Sequence, residues 1–110
     1  MIRKNAAELW SAPIYVKFND LKDGGRMALR IPATLQDLRT KGVVLAPGML
    51  LVVYMPDGAD WREDFVALAR VERYEASGGW GIVIEPSAMK HVSELDAEDR
   101  VLYGATRGTN

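Results

Sequence analysis

The sequence predicts a mainly β fold: a small antiparallel β-barrel of five or six short strands, followed by a C-terminal α-helix. Three observations lead to this fold class. Apolar and polar residues alternate in several short segments, which is the period of a strand with one buried face. Clusters of Gly, Pro, Asp and Asn separate these segments at intervals of about eight to twelve residues, as in small barrels. After Pro86 the apolar residues change to helical spacing.

The length and composition are those of one globular domain. The chain has 110 residues, of which 48% are hydrophobic and 26% charged. We expect a single domain over residues 1–110, with barrel strands over 12–85, a helix over 87–102 and a flexible tail over 104–110. The longest apolar run, residues 49–55, is far shorter than the roughly 20 residues of a membrane helix, and no signal-peptide core follows the start. A soluble, cytoplasmic protein without a membrane partner is therefore expected.

The first two predicted strands flank a glycine-rich turn. Apolar residues alternate over residues 14–18 and again over 26–31, and Asp23-Gly24-Gly25 lies between the two segments. Because glycine adopts positive φ without steric cost, this cluster predicts that the segments form a hairpin. Pro32 then bends the chain, and residues 33–39 are interpreted as a continuing strand rather than a helical turn.

The remaining strands surround an apolar centre. Residues 43–45 are predicted to form a short strand. Residues 49–55 are apolar without alternation, which is typical of a strand covered on both faces or of a central strand of a small barrel. Residues 65–74 alternate, so one face enters the core and the other, marked by Arg70, faces solvent. Residues 80–84 complete the sheet. The C-terminal helix is predicted to begin at Ser87 as its N-cap and to bury the apolar residues Met89, Val92 and Leu95.

Several kinds of chemistry are excluded by what the sequence lacks. It has no cysteine and one histidine, His91, so disulfides, thiolate metal sites and multi-histidine metal cages cannot form. No nucleophile elbow, phosphate-binding loop or dinucleotide-binding motif occurs. We therefore expect a protein that is not an enzyme, has no catalytic or metal-binding residues and needs no cofactor.

A polar loop over residues 57–64 contains four carboxylates, which belong to Asp57, Asp60, Glu63 and Asp64. Their spacing is not that of an EF-hand, so the loop is expected to be solvated rather than to bind calcium. Trp61 in the same loop either anchors a partner or folds back over the core. The sequence does not decide whether Trp61 and Trp80 lie in the core or on the surface.

The most specific pattern lies between residues 26 and 42. Arg26 and Arg30 form an Arg-x-x-x-Arg pattern, and Asp37-Leu38-Arg39-Thr40-Lys41-Gly42 reads Asp-x-Arg-x-x-Gly. With the strands around it, this layout resembles that of PilZ domains over residues 12–95. The resemblance implies a six-stranded barrel with a C-terminal helix that binds cyclic di-GMP, although Arg39 stands where the family has serine. It implies that the ligand-binding residues are Arg26, Arg30, Asp37, Arg39, Lys41 and Gly42.

The charge balance bears on the choice of partner. Fourteen Lys and Arg against fifteen Asp and Glu give a net charge of −1, so there is no basic field to attract nucleic acid. The predicted function is a non-enzymatic binding or regulatory module of the PilZ-like barrel type that acts through an unidentified protein partner or as a homo-oligomer. The alternatives are a sensor for a cyclic dinucleotide, cyclic di-GMP, and an SH3- or OB-like barrel that binds single-stranded nucleic acid through Tyr15, Trp61 or Trp80.

Overall fold

Six strands form one mixed sheet in the computed structural model, which describes residues 13–74, 79–84 and 88–106. The strands are β1 (Ile14–Tyr15), β2 (Arg26–Ala28), β3 (Leu50–Met55), β4 (Phe65–Tyr74), β5 (Gly79–Ile84) and β6 (Lys90–His91). The same ranges contain the α-helices α1 (Pro32–Thr40) and α2 (Ala97–Thr106). Short 3₁₀ turns lie at Phe18–Asp20, Asp23–Gly25, Trp61–Glu63 and Val92–Glu94.

The strand order is β1-β3-β4-β5-β2, and β6 pairs with the first two residues of β4. β1 runs parallel to β3, whereas every other pair within the described ranges is antiparallel, so the sheet is mixed and not purely antiparallel as predicted. No pair in this part of the chain joins β1 to β2. The sheet is therefore not closed, and the predicted barrel is not confirmed.

The predicted hairpin of residues 14–18 and 26–31 is wrong. β1 pairs with β3 and β2 pairs with β5, which places the two segments at opposite ends of the sheet. Gly24 and Gly25 do adopt positive φ, 81° and 74°. A local turn signal accounts for the reversal of the chain but does not choose the partner of each strand, which depends on burial in the core.

The interpretation of residues 33–39 as a strand is also wrong, because they belong to α1. Pro32 occupies the first turn of this helix, where its missing N–H is not needed. Thr34 and Leu38, four residues apart, are buried on one face of the helix. Residues 43–45 pair with no strand in the described part of the chain.

The C-terminal helix begins later than predicted. Of the predicted range 87–102, Lys90 and His91 form β6, Val92–Glu94 is a 3₁₀ turn, and α2 begins only at Ala97. The predicted N-cap Ser87 lies outside the described residues. The predicted tail begins inside α2, which ends at Thr106, and residues 107–110 lie outside the described ranges. Neither α1 nor α2 is long and apolar enough to cross a bilayer.

The side chains of alternate residues on the central strands pack into two apolar layers, one on each face of the sheet. Thirteen buried side chains on one face of the sheet make up the inner core, namely Ile14, Val16, Phe18, Met27, Leu29, Leu38, Leu51, Val53, Ala67, Ala69, Val71, Ile82 and Ile84. The outer cluster on the other face is smaller and consists of Val52, Val66, Val92 and Tyr103. The predicted strand over residues 49–55 is present as β3. Residues 51–53 are buried, but Leu50 is 38% exposed and Leu68 on β4 is 46% exposed, so the outer face is only partly covered.

Candidate functional site

Asp37 and Lys41, two of the predicted ligand residues, bind the edge of β1. Asp37 Oδ2 accepts hydrogen bonds from the Tyr15 N–H at 2.8 Å and from Lys41 Nζ at 3.1 Å. Thr34 Oγ1 donates to the Tyr15 carbonyl at 2.8 Å, and Lys41 Nζ also donates to the Pro13 carbonyl. Side chains of α1 thus satisfy the backbone groups that a further strand would otherwise pair with. Asp37 and Lys41 have a structural role at this edge.

Gly42 and Arg39 belong to the end of the same helix. Gly42 has a φ of 66°, donates its N–H to the Arg39 carbonyl at 3.1 Å, and is followed by Val43, whose N–H binds the Leu38 carbonyl at 2.9 Å. These two hydrogen bonds form a Schellman motif, which terminates helices through a residue of positive φ. The Arg39 side chain is exposed and donates to Gln36. The Asp-x-Arg-x-x-Gly pattern is therefore the end of a helix in this structure.

The arginine pair lies elsewhere. Arg26 Nε donates to Glu72 Oε1 at 3.0 Å across the exposed face of the sheet. Arg30 instead lines a cavity of about 300 Å³, the Arg30 cavity, whose other lining residues are Asp20, Lys22, Ala28 and Ile31. Among the described residues, no hydrogen bond or ion pair joins Arg26 or Arg30 to Asp37 or Lys41. The structure does not assemble the six predicted residues into one site.

A groove of about 300 Å³ lies between the outer face of the central strands and the segment that leads into α2. We call it the outer groove, and its lining residues are Val52, Val66, Ala67, Leu68, Ala88, Lys90, Leu95 and Asp99. Leu68 pairs with Val52, and Leu50 pairs with Arg70, so Leu50 and Leu68 are diagonal neighbours on the same face. Leu50 is 38% exposed. The groove therefore continues into an apolar strip formed by the partly exposed side chains of Leu50 and Leu68.

Three charged residues lie around this apolar strip. Arg70 on β4 is exposed between Leu50 and Val83, its register partners on β3 and β5. Its side chain makes no ion pair or hydrogen bond within residues 13–74, 79–84 and 88–106. Lys90 on β6 is also exposed and forms no ion pair in that part of the chain. Asp99 lies in the first turn of α2, where the helix dipole stabilises a carboxylate.

A second cavity, of about 410 Å³, lies beside α2 and is lined by Trp61, Arg62, Ala97, Arg100, Val101 and Gly104. Its two arginines are already engaged. Arg62 binds Asp60 at 3.2 Å and stacks on Trp61, and Arg100 Nη1 donates to the Leu95 carbonyl at 2.7 Å. This cavity therefore offers less free hydrogen-bonding capacity than the outer groove.

The two tryptophans, whose location the sequence left open, are both half-buried. Trp61 packs in the outer cluster with its ring centroid 6.0 Å from that of Tyr103. A Cβ at Gly104 would lie 2.7 Å from the Trp61 ring, so glycine permits this close approach of loop and helix. Trp80 packs against the inner core and carries the Arg73 guanidinium 4.3 Å from its ring.

Part of the acidic loop is attached to the rest of the fold by His91. Asp57 Oδ2 lies 3.0 Å from His91 Nε2, and the His91 N–H donates to Glu94 Oε1 at 2.8 Å. The imidazole stacks on Phe65 with centroids 4.2 Å apart. The hydrogen bond to Asp57 is the main reason that the pKa of His91 is raised above its ordinary value, and the neighbouring carboxylates of Glu63 and Glu94 add to it.

Asp64 departs from the predicted solvated loop. It is buried, and its Oδ2 accepts a hydrogen bond of 2.6 Å from the Tyr103 hydroxyl. Its backbone carbonyl accepts the Val92 N–H at 2.9 Å. Asp64 thus joins the loop to α2 and to the 3₁₀ turn, and its carboxylate is part of the packed outer cluster.

The sequence contains one signal for the outer groove, the apolar residue Leu68. The alternation of residues 65–74 already placed Leu68 on the same face as Arg70, the face predicted to be solvated. A large apolar residue on the solvated face of a strand indicates either a second layer or a binding surface. No such signal pointed to Lys90 and Leu95. Both residues were predicted to lie in the C-terminal helix, and that prediction did not place them beside β4.

Comparison of the chain with protein-family models, with curated proteins and with solved structures finds no match. The resemblance to PilZ domains therefore stays a prediction. The function of the chain has to be inferred from the geometry and chemistry of its own residues.

Proposed function

We propose that the chain is a non-catalytic binding module that holds a segment of another protein in the outer groove. The observation that carries the proposal is the exposure of Leu68 on a central strand, next to Leu50 and directly beside the groove. Aliphatic side chains provide most of the lining. Such a surface suits the retention of an apolar segment better than the polarisation of a reacting bond.

The energetics support a modest, reversible interaction. Complete burial of a leucine side chain contributes about 1.5–3 kcal/mol. Leu50 and Leu68 are 38% and 46% exposed, so covering both removes from water roughly the apolar surface of one fully exposed leucine. Together with contacts inside the groove, this favours a regulatory association of moderate affinity rather than a permanent complex.

Selection of random short peptides displayed on phage tests the proposal. Peptides are selected on the wild-type protein and screened on Leu68→Glu and Val44→Glu. Val44 is 83% exposed and does not line the groove, so the second variant introduces the same charge at a neutral site. We expect selected peptides to bind the wild type and Val44→Glu and to lose binding to Leu68→Glu.

The proposal is wrong if no peptide is enriched, or if the enriched peptides bind Leu68→Glu as tightly as the wild type. Leu50→Glu, at the exposed leucine beside the groove, serves as a second variant should Leu68→Glu unfold. Far-ultraviolet circular dichroism of each variant establishes that lost binding does not reflect lost structure.

The Arg30 cavity favours a second candidate function, the binding of cyclic di-GMP. Arg30 and Lys22 bring two cations to a cavity that the carboxylate of Asp20 also lines, and neither cation has an ion-pair partner among the described residues. Guanidinium and ammonium groups are the usual donors to phosphate oxygens. This candidate retains the PilZ-like resemblance but moves the predicted ligand contacts from Asp37, Arg39 and Lys41 to Lys22.

A thermal-shift titration with cyclic di-GMP tests the second candidate. A ligand at a hundred times its dissociation constant stabilises the folded state by about 2.7 kcal/mol, which raises the Tm by several degrees. We expect Arg30→Ala to abolish that shift and Arg39→Ala, on the exposed face of α1, to preserve it. An absent shift, or equal shifts in both variants, would reject the Arg30 cavity as the ligand site.

A further inference from the structure

The charges around the outer groove carry information about what binds there. Arg26 and Glu72, on the same face of the sheet, form an ion pair at 3.0 Å. Arg70, two residues from Glu72 along β4, has no such partner in the described part of the chain. The two arginines therefore differ in whether a carboxylate of the described residues pairs with them.

Arg70 is held between apolar neighbours. Its register partners are Leu50 on β3 and Val83 on β5, and neither strand contains a carboxylate within its described residues. Its guanidinium carries five N–H donors in a planar fork that matches a carboxylate. Arginine is enriched at the centres of protein interfaces.

Lys90 adds a second cation on the other side of Leu68. Its register partner on β4 is Val66, and it lines the groove directly. The nearby Glu94 carboxylate accepts the His91 N–H at 2.8 Å, and this hydrogen bond, with a smaller contribution from the charge of Lys90, lowers the pKa of Glu94. Lys90 itself forms no ion pair within the described residues. Asp99, the anionic group on the groove, lies in the first turn of α2 and is stabilised there by the helix dipole. Within the described residues, the two cations Arg70 and Lys90 outnumber the one carboxylate of the groove lining, Asp99, so the charge beside the strip is net positive.

We propose that the outer groove recognises an acidic, apolar protein segment, whose carboxylates pair with Arg70 and Lys90 while its apolar side chains cover Leu50 and Leu68. This inference rests on the proposed function, because it specifies the partner of the same groove. Nucleic acid fits the surface less well. The lining residues include no aromatic ring on which a base stacks.

The composition and charge dependence of the selected peptides test the inference. Peptides that depend on Leu68 are sequenced, and their affinities are measured for Arg70→Glu, Lys90→Glu and Arg39→Glu. Arg39→Glu is the matched control because it gives the same change in net charge at an exposed arginine of α1, whereas Arg70 adjoins the groove on β4 and Lys90 lines it. We expect enrichment of Asp and Glu beside apolar residues, a loss of affinity of about fivefold or more for each groove variant, and little loss for Arg39→Glu. Binding should also weaken with added salt.

The outcomes separate the two proposals. If no selected peptide depends on Leu68, the proposed function fails and the inference fails with it. If the peptides depend on Leu68 but are neutral or basic, or bind Arg70→Glu as well as Arg39→Glu, the inference alone is overturned. Sedimentation of the wild type as a dimer that Leu68→Glu dissociates would identify a second copy as the occupant instead. Retention of a single-stranded oligonucleotide that Arg70→Glu abolishes would also overturn it.

Discussion

The edge between α1 and β1 and the outer groove contrast in how their polar groups are used. At the edge, Thr34 and Asp37 bind both backbone groups of Tyr15, and Lys41 binds Asp37 and the Pro13 carbonyl. At the groove, Arg70 and Lys90 form no ion pairs in the described ranges, and two leucines stay partly exposed.

The comparison shows why a motif that looks functional in the sequence can be structural. The Asp-x-Arg-x-x-Gly pattern was predicted to bind a ligand because, together with Arg26 and Arg30, it resembles the motifs of PilZ domains. In the structure, Asp37 and Lys41 bind backbone groups at the edge of β1, and Gly42 ends α1. The groove residues drew less attention, since single leucines and arginines are ordinary on a sheet. Unsatisfied binding capacity, rather than charge density, distinguishes the two regions.

The largest effect on stability is expected from Asp37→Ala. This change leaves the Tyr15 N–H without its acceptor and removes one of the two acceptors of the Lys41 ammonium, and an unsatisfied donor costs about 1–3 kcal/mol. Arg39→Ala, at an exposed position two residues along the same helix, should change the free energy of unfolding by less than about 0.5 kcal/mol. Urea unfolding of both variants measures the difference. Equal effects of the two variants on the free energy of unfolding would contradict the structural role of Asp37.

Gly42→Ala should have the next largest effect. With φ at 66°, alanine at this position adopts a left-handed conformation that costs about 1–2 kcal/mol, although no atom lies within 4 Å of the added Cβ. The same urea titration measures the change. Peptide binding at the outer groove should be unaffected. An unchanged free energy of unfolding would argue against the Schellman end of α1.

Leu68→Glu should change stability less than either variant at the edge. The side chain is 46% exposed, so the glutamate carboxylate reaches water and the free energy of unfolding changes by about 1 kcal/mol or less. The same substitution should nevertheless abolish peptide binding. A loss of stability as large as that of Asp37→Ala would show that Leu68 belongs to the core and not to a binding surface.

The smallest effect is expected from the pH dependence of His91. Its pKa is raised in the folded protein, mainly by the hydrogen bond to Asp57, so the folded state binds this proton more tightly than the unfolded chain does. The resulting stabilisation is fully present below the ordinary histidine pKa of about 6.5 and is lost as the pH rises through the raised value. His91 is the one histidine of the chain, which makes the signal specific.

Thermal unfolding as a function of pH measures this contribution. The Tm of the wild type should fall slightly as the pH rises across that window, and His91→Gln should show a smaller fall. Because the site is exposed, added salt should reduce the difference between the two proteins. A Tm that rises with pH in the wild type but not in His91→Gln would contradict the assigned sign.

Strong local patterns predicted much of the sheet. The apolar run of residues 49–55 and the alternation over residues 65–74 correctly gave β3 and β4, because burial on one or both faces determines these patterns directly. The partners of β1 and β2 were predicted wrongly. Their pairing depends on contacts between residues far apart in the sequence, and Asp23-Gly24-Gly25 indicates only that the chain turns.

The candidate site was predicted less well than the fold. The sequence pointed to Arg30 and to the solvated face of residues 65–74, and both lie beside cavities in the structure. It did not bring Lys90 or Leu95 to β4, because Lys90 and His91 were interpreted as helical rather than as strand β6. A two-residue strand has no period of its own, so its pairing with Phe65 and Val66 is visible only in three dimensions.

An equilibrium titration of one selected peptide tests the central claim most directly. The peptide carries a fluorescent label, and its anisotropy is followed as wild-type protein, Val44→Glu or Leu68→Glu is added. The account predicts the same Kd for the wild type and Val44→Glu and a Kd about tenfold higher or more for Leu68→Glu, which is a loss of about 1.4 kcal/mol or more in binding. One Kd shared by all three folded proteins would contradict the claim that the outer groove is the binding site.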